Sequence, residues 1–182
     1  LRIIFCSDNQ FTELPDVLGR CPALTMVGFK ANRIRTVSAQ SLPAKLRWLI
    51  LTDNEIDELP PEIGNRPDLQ KVMLAGNRLR ALPESMAQCQ RMELLRISAN
   101  QLTELPAWLL SLPRLSWLAY SGNPFASRLE SQLSHSAEIG DINWADLDVQ
   151  HLLGQGASGF IHHALWRRSG EQDLAVAEIG RA

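Results

Sequence analysis

The sequence predicts an α/β solenoid, in which short parallel strands stack side by side and each strand is followed by a short return segment. Two observations predict this fold. Asparagine recurs at intervals of 22 or 23 residues, and an apolar residue stands eight positions before each one, at Asn9, Asn32, Asn54, Asn77, Asn100 and Asn123. A fixed period in this range indicates a repeat architecture. We therefore predict six repeats over residues 1–125.

The apolar residues inside each repeat predict one strand per repeat. When the residue eight before the asparagine is position 1, positions 1, 4, 6, 11 and 14 are apolar in every repeat, except at Arg128. Positions 4 and 6 alternate with a variable residue, as in 49–51, which is the period of a strand with one buried face. A single short strand cannot bury that face alone, so neighbouring strands are expected to form one parallel sheet.

The asparagine at position 9 follows the strand, where the chain turns. Its amide carries a donor and an acceptor, so a column of asparagines is expected to satisfy backbone groups that the turn buries. We expect Asn77, in the middle of the array, to contribute more to stability than Asn123 at its end.

The return segments are marked by proline. Four repeats contain Leu-Pro, at Leu14-Pro15, Leu59-Pro60, Leu82-Pro83 and Leu105-Pro106. Proline blocks ladder pairing and favours an extended or one-turn helical return on the convex side. Residues 24–45 form a repeat that is one residue shorter and has Val37-Ser38 instead, and Pro124 directly after Asn123 ends the array.

The repeat pattern L-x-x-L-x-L-x-x-N-x-L-x-x-L-P-x-x-L resembles the leucine-rich-repeat family over residues 1–125. The resemblance implies a right-handed solenoid with the parallel sheet on its concave face. It also implies a protein-recognition module rather than an enzyme.

Positions 3 and 5 of each repeat are expected to face the concave side. They hold apolar, aromatic and basic residues, which are types that anchor protein interfaces, whereas a solvated face carries more Lys and Glu. The predicted protein-binding residues are Trp48, Ile50, Lys71, Met73, Leu94, Arg96 and Trp117. The alternatives are that a tail or a neighbouring domain covers this face, or that its apolar residues have no function.

The composition changes after Phe125. Residues 126–143 are polar and predict a linker with a short helix at 128–133.

In 144–182, an apolar strand leads into G-x-G-x-x-G at residues 154–159, and a second apolar segment follows. A dinucleotide-binding fold requires a helix after this motif. Strand, glycine loop and strand instead resemble the start of the protein-kinase fold, and Ala164 and Trp166 match bacterial leucine-rich-repeat kinases.

This second resemblance implies an ATP site. Its phosphate-binding and adenine-covering residues are Leu153, Gly154, Gly156, Ala157, Ser158, Gly159, Ile161 and Ala175. The alternative is an incidental β-hairpin. Ala177 stands in the position of the kinase lysine and Glu178 follows it, so the resemblance implies a pseudokinase or a kinase domain truncated after its third strand. No cofactor is expected for this chain, whereas a complete parent kinase would use ATP and Mg²⁺.

Three functions follow from these features. The first is recognition of a protein by a leucine-rich-repeat module attached to a truncated serine/threonine kinase domain. The second is a fragment of an active leucine-rich-repeat kinase that phosphorylates Ser/Thr. A third, a ubiquitin ligase carried on leucine-rich repeats, needs a catalytic-cysteine domain that the C-terminal residues do not resemble.

Composition limits the partners. A formal net charge of -2 gives no reason to expect nucleic acid or an anionic membrane. No apolar run reaches the ~20 residues that a membrane span needs. Cys6, Cys21 and Cys89 fall on core positions and form neither a metal-ligand spacing nor an even disulfide set, which predicts a cytoplasmic protein. The oligomeric state stays open.

Overall fold

The computed structural model contains two compact units, Leu1–Leu133 and Ser134–Ala182. The residues that it describes are 1–127, 131, 144–156, 159–166 and 174–180. The helix predicted at 128–133 lies outside these residues except at Ser131, and so do two predicted loop residues, Ala157 and Ser158.

The first unit contains a six-stranded parallel sheet. Its strands are β1 (Ile3–Phe5), β2 (Met26–Gly28), β3 (Trp48–Ile50), β4 (Lys71–Met73), β5 (Leu94–Arg96) and β6 (Trp117–Ala119). They pair in sequence order, and each position 3 lies beside the position 3 of the next repeat. The predicted parallel sheet is confirmed.

The core lies against one face of this sheet. The middle residues of β2 to β5, at position 4, are Val27, Leu49, Val72 and Leu95, and all four are fully buried. Positions 1, 6 and 11 of the central repeats are also fully buried, as at Leu46, Leu51 and Ile56. The apolar positions of the repeat therefore form one continuous core.

The asparagine column makes hydrogen bonds to the buried backbone groups of the turn, as predicted. The Nδ2 group of Asn54 donates to the carbonyls of Phe29 and Leu51 at 2.9 and 3.1 Å, and its Oδ1 accepts from the Ile34 amide at 3.0 Å. Asn77 makes the corresponding bonds, reaching one repeat back at 2.9 Å for the carbonyl and 3.1 Å for the amide. Each asparagine thus joins its own repeat to the one before it.

The ends of the column differ from each other. Asn123 is 1% exposed and accepts from the Leu102 amide at 3.0 Å while donating to two carbonyls, which matches Asn77. The expectation that Asn123 contributes less is therefore revised. At the first repeat, Asn9 is exposed, and within the described residues its side chain donates only to the carbonyl of Ser7, at 2.8 Å.

The residue just before each asparagine has left-handed backbone geometry. The φ angles at position 8 are positive in every repeat: Asp8 57°, Ala31 54°, Asp53 57°, Gly76 70°, Ala99 52° and Gly122 76°. This conformation is uncommon for residues other than glycine and strained for alanine. The sequence pattern did not predict it, because the residue type changes from repeat to repeat.

The return segments are short 3₁₀ helices. Four of them begin directly after the proline of Leu-Pro, over Asp16–Arg20, Pro61–Asn65, Glu84–Gln88 and Ala107–Ser111. The shorter repeat has Ala39–Ser41 instead, where the Ser38 hydroxyl accepts from the Ser41 amide at 3.2 Å. The expected one-turn helical return is confirmed, and its brevity accounts for the tighter 3₁₀ form.

The second unit contains a 3₁₀ helix, Trp144–Asp146, and three strands, β7 (Leu147–Gly156), β8 (Gly159–Trp166) and β9 (Leu174–Gly180). The strands form an antiparallel sheet in the order β7-β8-β9. The register of β7 against β8 shifts between Val149 and Gly154.

Candidate functional site

The face of the six-stranded sheet that points away from the core carries positions 3 and 5, and we call it the sheet face. It consists of Ile3, Phe5, Met26, Gly28, Trp48, Ile50, Lys71, Met73, Leu94, Arg96, Trp117 and Ala119. The seven residues predicted for protein binding all belong to it. The in-phase pairing places the residues of each position in a row that crosses the strands.

Large apolar side chains on this face are open to solvent. Trp117 is 61% exposed, Phe5 53% and Ile3 49%, while Trp48 and Leu94 are half-buried. Phe5 and Ile3 were not among the residues predicted to bind a partner. The signal that identifies them was present, because they stand at the same repeat positions as the predicted residues.

Trp48 and Lys71 are neighbours across β3 and β4. The Lys71 ammonium lies 4.2 Å from the centre of the Trp48 ring, within the range of a cation–π contact. Such a contact is worth about 0.5–1 kcal/mol at an exposed site, and it leaves the Trp48 ring partly accessible. The position-3 row therefore presents the Trp48 ring in contact with the positive charge of Lys71.

Gly28 makes room for Phe5. The Phe5 ring lies across β2 at this glycine, and a Cβ atom built there would overlap the ring. The close approach explains a glycine inside a short strand. It also spreads one aromatic surface over the first two strands of the sheet face.

Arg96 lies in the position-5 row between Met73 and Ala119. It is exposed, and in the described part of the chain its guanidinium has no ion pair. The ion pairs of the described residues lie outside the sheet face: Glu55 pairs with Arg35 and Arg78, and Asp68 pairs with Arg91.

Five of the predicted nucleotide residues, Leu153, Gly154, Gly156, Gly159 and Ile161, lie on β7 and β8 near the turn between these strands. Gly156 pairs with Gly159, and Gly154 pairs with Ile161. Leu153 is 55% exposed. Ala175 pairs with Leu165, on the β9 side of the sheet. Ala157 and Ser158, which connect the two strands, lie outside the described residues.

Two residues of β9, Ala177 and Glu178, pair with histidines of β8. Ala177 pairs with His163, and Glu178 pairs with His162. The ring of His163 stacks on that of His151, with centroids 5.1 Å apart, and its Nδ1 lies 3.0 Å from the Gln150 Oε1. Ala164, at the centre of β8, is fully buried.

The cysteines show no catalytic arrangement. All three are free, Cys89 is fully buried, and Cys6 and Cys21 are half-buried. Burial raises the pKa of the Cys89 thiol from 9.0 to about 11, so it stays protonated and unreactive at neutral pH. Among the described residues, no group of three or more His, Cys, Asp or Glu side chains is placed to hold a metal ion.

Membrane insertion is not indicated by any described helix. Within the parts of the chain that the structure covers, no helix is long and apolar enough to cross a bilayer.

Known proteins show the same repeat. Residues 67–125 match the model of the leucine rich repeat family. A comparison with curated proteins found no match. Among solved structures, the chain is similar to a leucine-rich-repeat protein of Leptospira interrogans, with 29% identity and a TM-score of 0.67. That match covers 79% of this chain and 37% of the Leptospira chain, so this chain spans well under half of its length.

Two further structures share the fold at lower identity. The leucine-rich-repeat ectodomain of a receptor kinase from Arabidopsis thaliana is 18% identical, with a TM-score of 0.58 and coverage of 67% of this chain and 70% of that one. An internalin of Listeria monocytogenes is 22% identical, with a TM-score of 0.57 and coverage of 66% and 35%. These two show the solenoid fold alone.

Proposed function

We propose that the leucine-rich-repeat solenoid of this chain binds a protein partner through the sheet face. Leucine-rich-repeat modules are typical of protein–protein recognition, which supports this function class. The face is built on strands in regular register, so its side chains are held at fixed spacings. Rigid, closely spaced anchors lose little conformational freedom when a partner binds.

One observation carries the proposal, namely the identity of the exposed side chains on the sheet face. Trp48, Trp117 and Phe5 are large aromatic residues, and two of them are more than half exposed. Aromatic and arginine side chains are the usual energetic centres of protein interfaces. An apolar surface that extends over several strands is larger than a monomer ordinarily leaves exposed.

The three free cysteines support a reducing, cytoplasmic setting.

The test uses the full chain as bait in a cell extract, with captured proteins quantified by mass spectrometry. The variants are Trp117→Glu and Trp48→Glu, each checked for unchanged circular dichroism. The matched control is Leu110→Glu, because Leu110 is 83% exposed but lies in a return helix, Ala107–Ser111. The control introduces the same charge at an exposed site on a different surface.

We expect at least one protein to be retained by the unmodified chain and by the Leu110→Glu chain, and to be lost from both tryptophan variants. Equal loss in all three variants would contradict the proposal, because it would indicate capture by general hydrophobicity. Unfolding of a tryptophan variant would mean that its side chain belongs to the core rather than to the sheet face.

A second proposal concerns residues 144–182, which we infer to be the first strands of a kinase-like domain attached to the recognition module. The antiparallel order β7-β8-β9 and the glycine pair that closes the first hairpin support it. The residues present do not fit the phosphates of ATP, however. The described strands contain no Lys or Arg, Ala177 occupies the lysine position, and Glu178 adds a negative charge.

The same strands lead us to expect no phosphoryl transfer by this chain. Titration calorimetry with Mg-ATP should give no saturable heat below about millimolar concentration, which is weaker than typical nucleotide sites. Incubation with labelled ATP should leave the chain and generic Ser/Thr substrates unmodified. Micromolar binding would contradict this expectation and would favour the alternative of an active kinase fragment.

A further inference from the structure

The two charges on the sheet face have the same sign. Of its twelve residues, Lys71 and Arg96 are the only ionisable ones, and both are cations. The chain as a whole has a formal net charge of -2, so this face has the opposite sign to the rest of the molecule. The nearest acids along the chain are Asp68, three residues before Lys71, and Glu93, three residues before Arg96, and both lie outside the strands of the sheet.

Lys71 and Arg96 are not equivalent. The Lys71 ammonium is already engaged with the Trp48 ring at 4.2 Å. The exposed Arg96 guanidinium has no ion pair among the described residues, and its lateral neighbours, Met73 and Ala119, are apolar. A free guanidinium surrounded by apolar groups is a strong site for a carboxylate, because both can lose water as two parallel hydrogen bonds form.

The surroundings of Arg96 add to this site. Leu94 lies on the same strand two residues before Arg96, between Lys71 and Trp117 in the position-3 row. Ser98 and Ser121 follow two residues after Arg96 and Ala119, and their hydroxyls are possible additional donors. The last three strands and the residues just after them thus bring together two cations, two hydroxyl groups and apolar side chains.

From this arrangement, and resting on the proposed function above, we propose that the partner presents an Asp or Glu side chain to Arg96, flanked by large apolar side chains. The apolar groups pack against Trp117 and Leu94, and the carboxylate pairs with the guanidinium. A basic segment is disfavoured at the same place, because it would meet Lys71 and Arg96 at close range.

The test is a selection of displayed random short peptides on the full chain. It is run on the unmodified chain and on Arg96→Glu, with Arg114→Glu as the matched control. Arg114 is also exposed, but it lies in the turn before β6 rather than on the sheet face. Selected peptides are then synthesised, and their dissociation constants are measured by fluorescence polarisation at two salt concentrations.

We expect the unmodified chain to enrich peptides with Asp or Glu beside aromatic or aliphatic residues. Arg96→Glu should weaken these peptides by at least about tenfold, as loss of a charge-assisted hydrogen bond implies. Replacing the peptide acid by Arg should restore binding to Arg96→Glu. Arg114→Glu should bind as the unmodified chain does.

Enrichment of apolar peptides without acids would overturn this inference, and so would equal weakening by Arg96→Glu and Arg114→Glu. Both results leave the proposed function standing if Trp117→Glu still abolishes binding. Failure of the unmodified chain to enrich any peptide above bare matrix would count against both proposals. Selection of basic peptides would overturn the inference directly.

Discussion

The turn side of each repeat keeps the same residue type and hydrogen bonds from one repeat to the next, whereas the residues of the sheet face change. On the turn side, Asn54 and Asn77 make the same three kinds of hydrogen bond, and each links two successive repeats. On the sheet face, the successive residues of the position-3 row are Trp48, Lys71 and Leu94, which share neither charge nor shape. The same backbone is therefore held by a recurring set of contacts and carries a different position-3 side chain on each of the strands β3, β4 and β5.

The physical reason is the direction in which the side chains point. A residue that faces the neighbouring repeat must fit a site that the neighbour also provides, so the fold restricts it strongly. A residue that faces solvent meets no such requirement, so a binding function is free to select it. Stability and the proposed recognition thus depend on different positions of one repeat, and substitutions can test each separately.

The largest effect is expected at the asparagine column. Asn77→Leu removes three hydrogen bonds and leaves the Ile56 amide buried without a partner, at a cost of about 1–3 kcal/mol for that group, in addition to the loss of the two bonds to carbonyls. The carbonyls of Leu51 and Leu74 each keep one bond, from Asn54 and Asn100. The matched control is Asn9→Leu, because Asn9 is exposed and within the described residues donates only to Ser7. Thermal unfolding should show a drop of several degrees for Asn77→Leu and little change for Asn9→Leu. Equal drops in the unfolding temperature would contradict the stabilising role of the asparagine column.

A smaller effect is expected at position 8. Gly76 has a φ of 70°, and a Cβ atom there would displace the end of the Asp53 side chain, so Gly76→Ala should destabilise the solenoid by about 1 kcal/mol. Ala99→Gly tests the opposite change, since Ala99 has a φ of 52°. Relief of left-handed strain should offset the greater freedom of glycine in the unfolded chain, so this variant should be neutral or slightly stabilised. Urea unfolding measures both changes.

The next effect depends on pH. The pKa of the Cys89 thiol is raised from 9.0 to about 11 by burial, so the folded chain holds this proton more tightly than the unfolded chain. The stabilisation is therefore complete below pH 9 and is lost as pH rises from about 9 to about 11. Between pH 8 and pH 10, the unmodified chain should lose about 1 kcal/mol more stability than Cys89→Ala. An identical loss in both proteins would show that Cys89 does not titrate in this way.

The smallest effect on stability is expected on the sheet face. Trp117 is 61% exposed, so Trp117→Glu should change the free energy of unfolding by less than about 0.5 kcal/mol while it abolishes partner binding. Asn77→Leu should do the reverse at a temperature where it remains folded, losing stability and keeping affinity. If Asn77→Leu stayed folded but lost affinity for the partner, the asparagine column and the sheet face would be energetically coupled.

The repeat made most of the solenoid predictable. A residue such as Leu49 recurs in type at every position 4, so the strand, its buried face and its parallel neighbours follow from the period alone. The left-handed geometry at Ala31 and Ala99 was not predictable, because no residue type marks it. The contact between Lys71 and Trp48 also required coordinates, since a sequence places both on one face but does not give the direction of a flexible side chain.

The second unit was predictable only in outline. The glycines and apolar runs of 144–182 predicted strand, turn and strand, and β7 and β8 have this arrangement. With one copy of the motif, no internal repetition tests the alignment, so the roles of Gly154, Gly159 and Ala175 stay predictions. In the solenoid, each repeat packs against neighbours with the same pattern, so the pattern predicts both the alignment and the packing. The motif in residues 144–182 has no such neighbour.

The shorter repeat has a consequence for where this molecule tolerates changes of length. Met26 still pairs with Trp48, and both strands lie six residues before their asparagine, so the missing residue falls in the return segment after Asn32. Chain length is thus adjustable in the return segment between Val37 and Leu46, whereas a single insertion between Trp48 and Asn54 would displace the asparagine column. A change of one residue in this return segment therefore leaves the spacing of the sheet face unaltered.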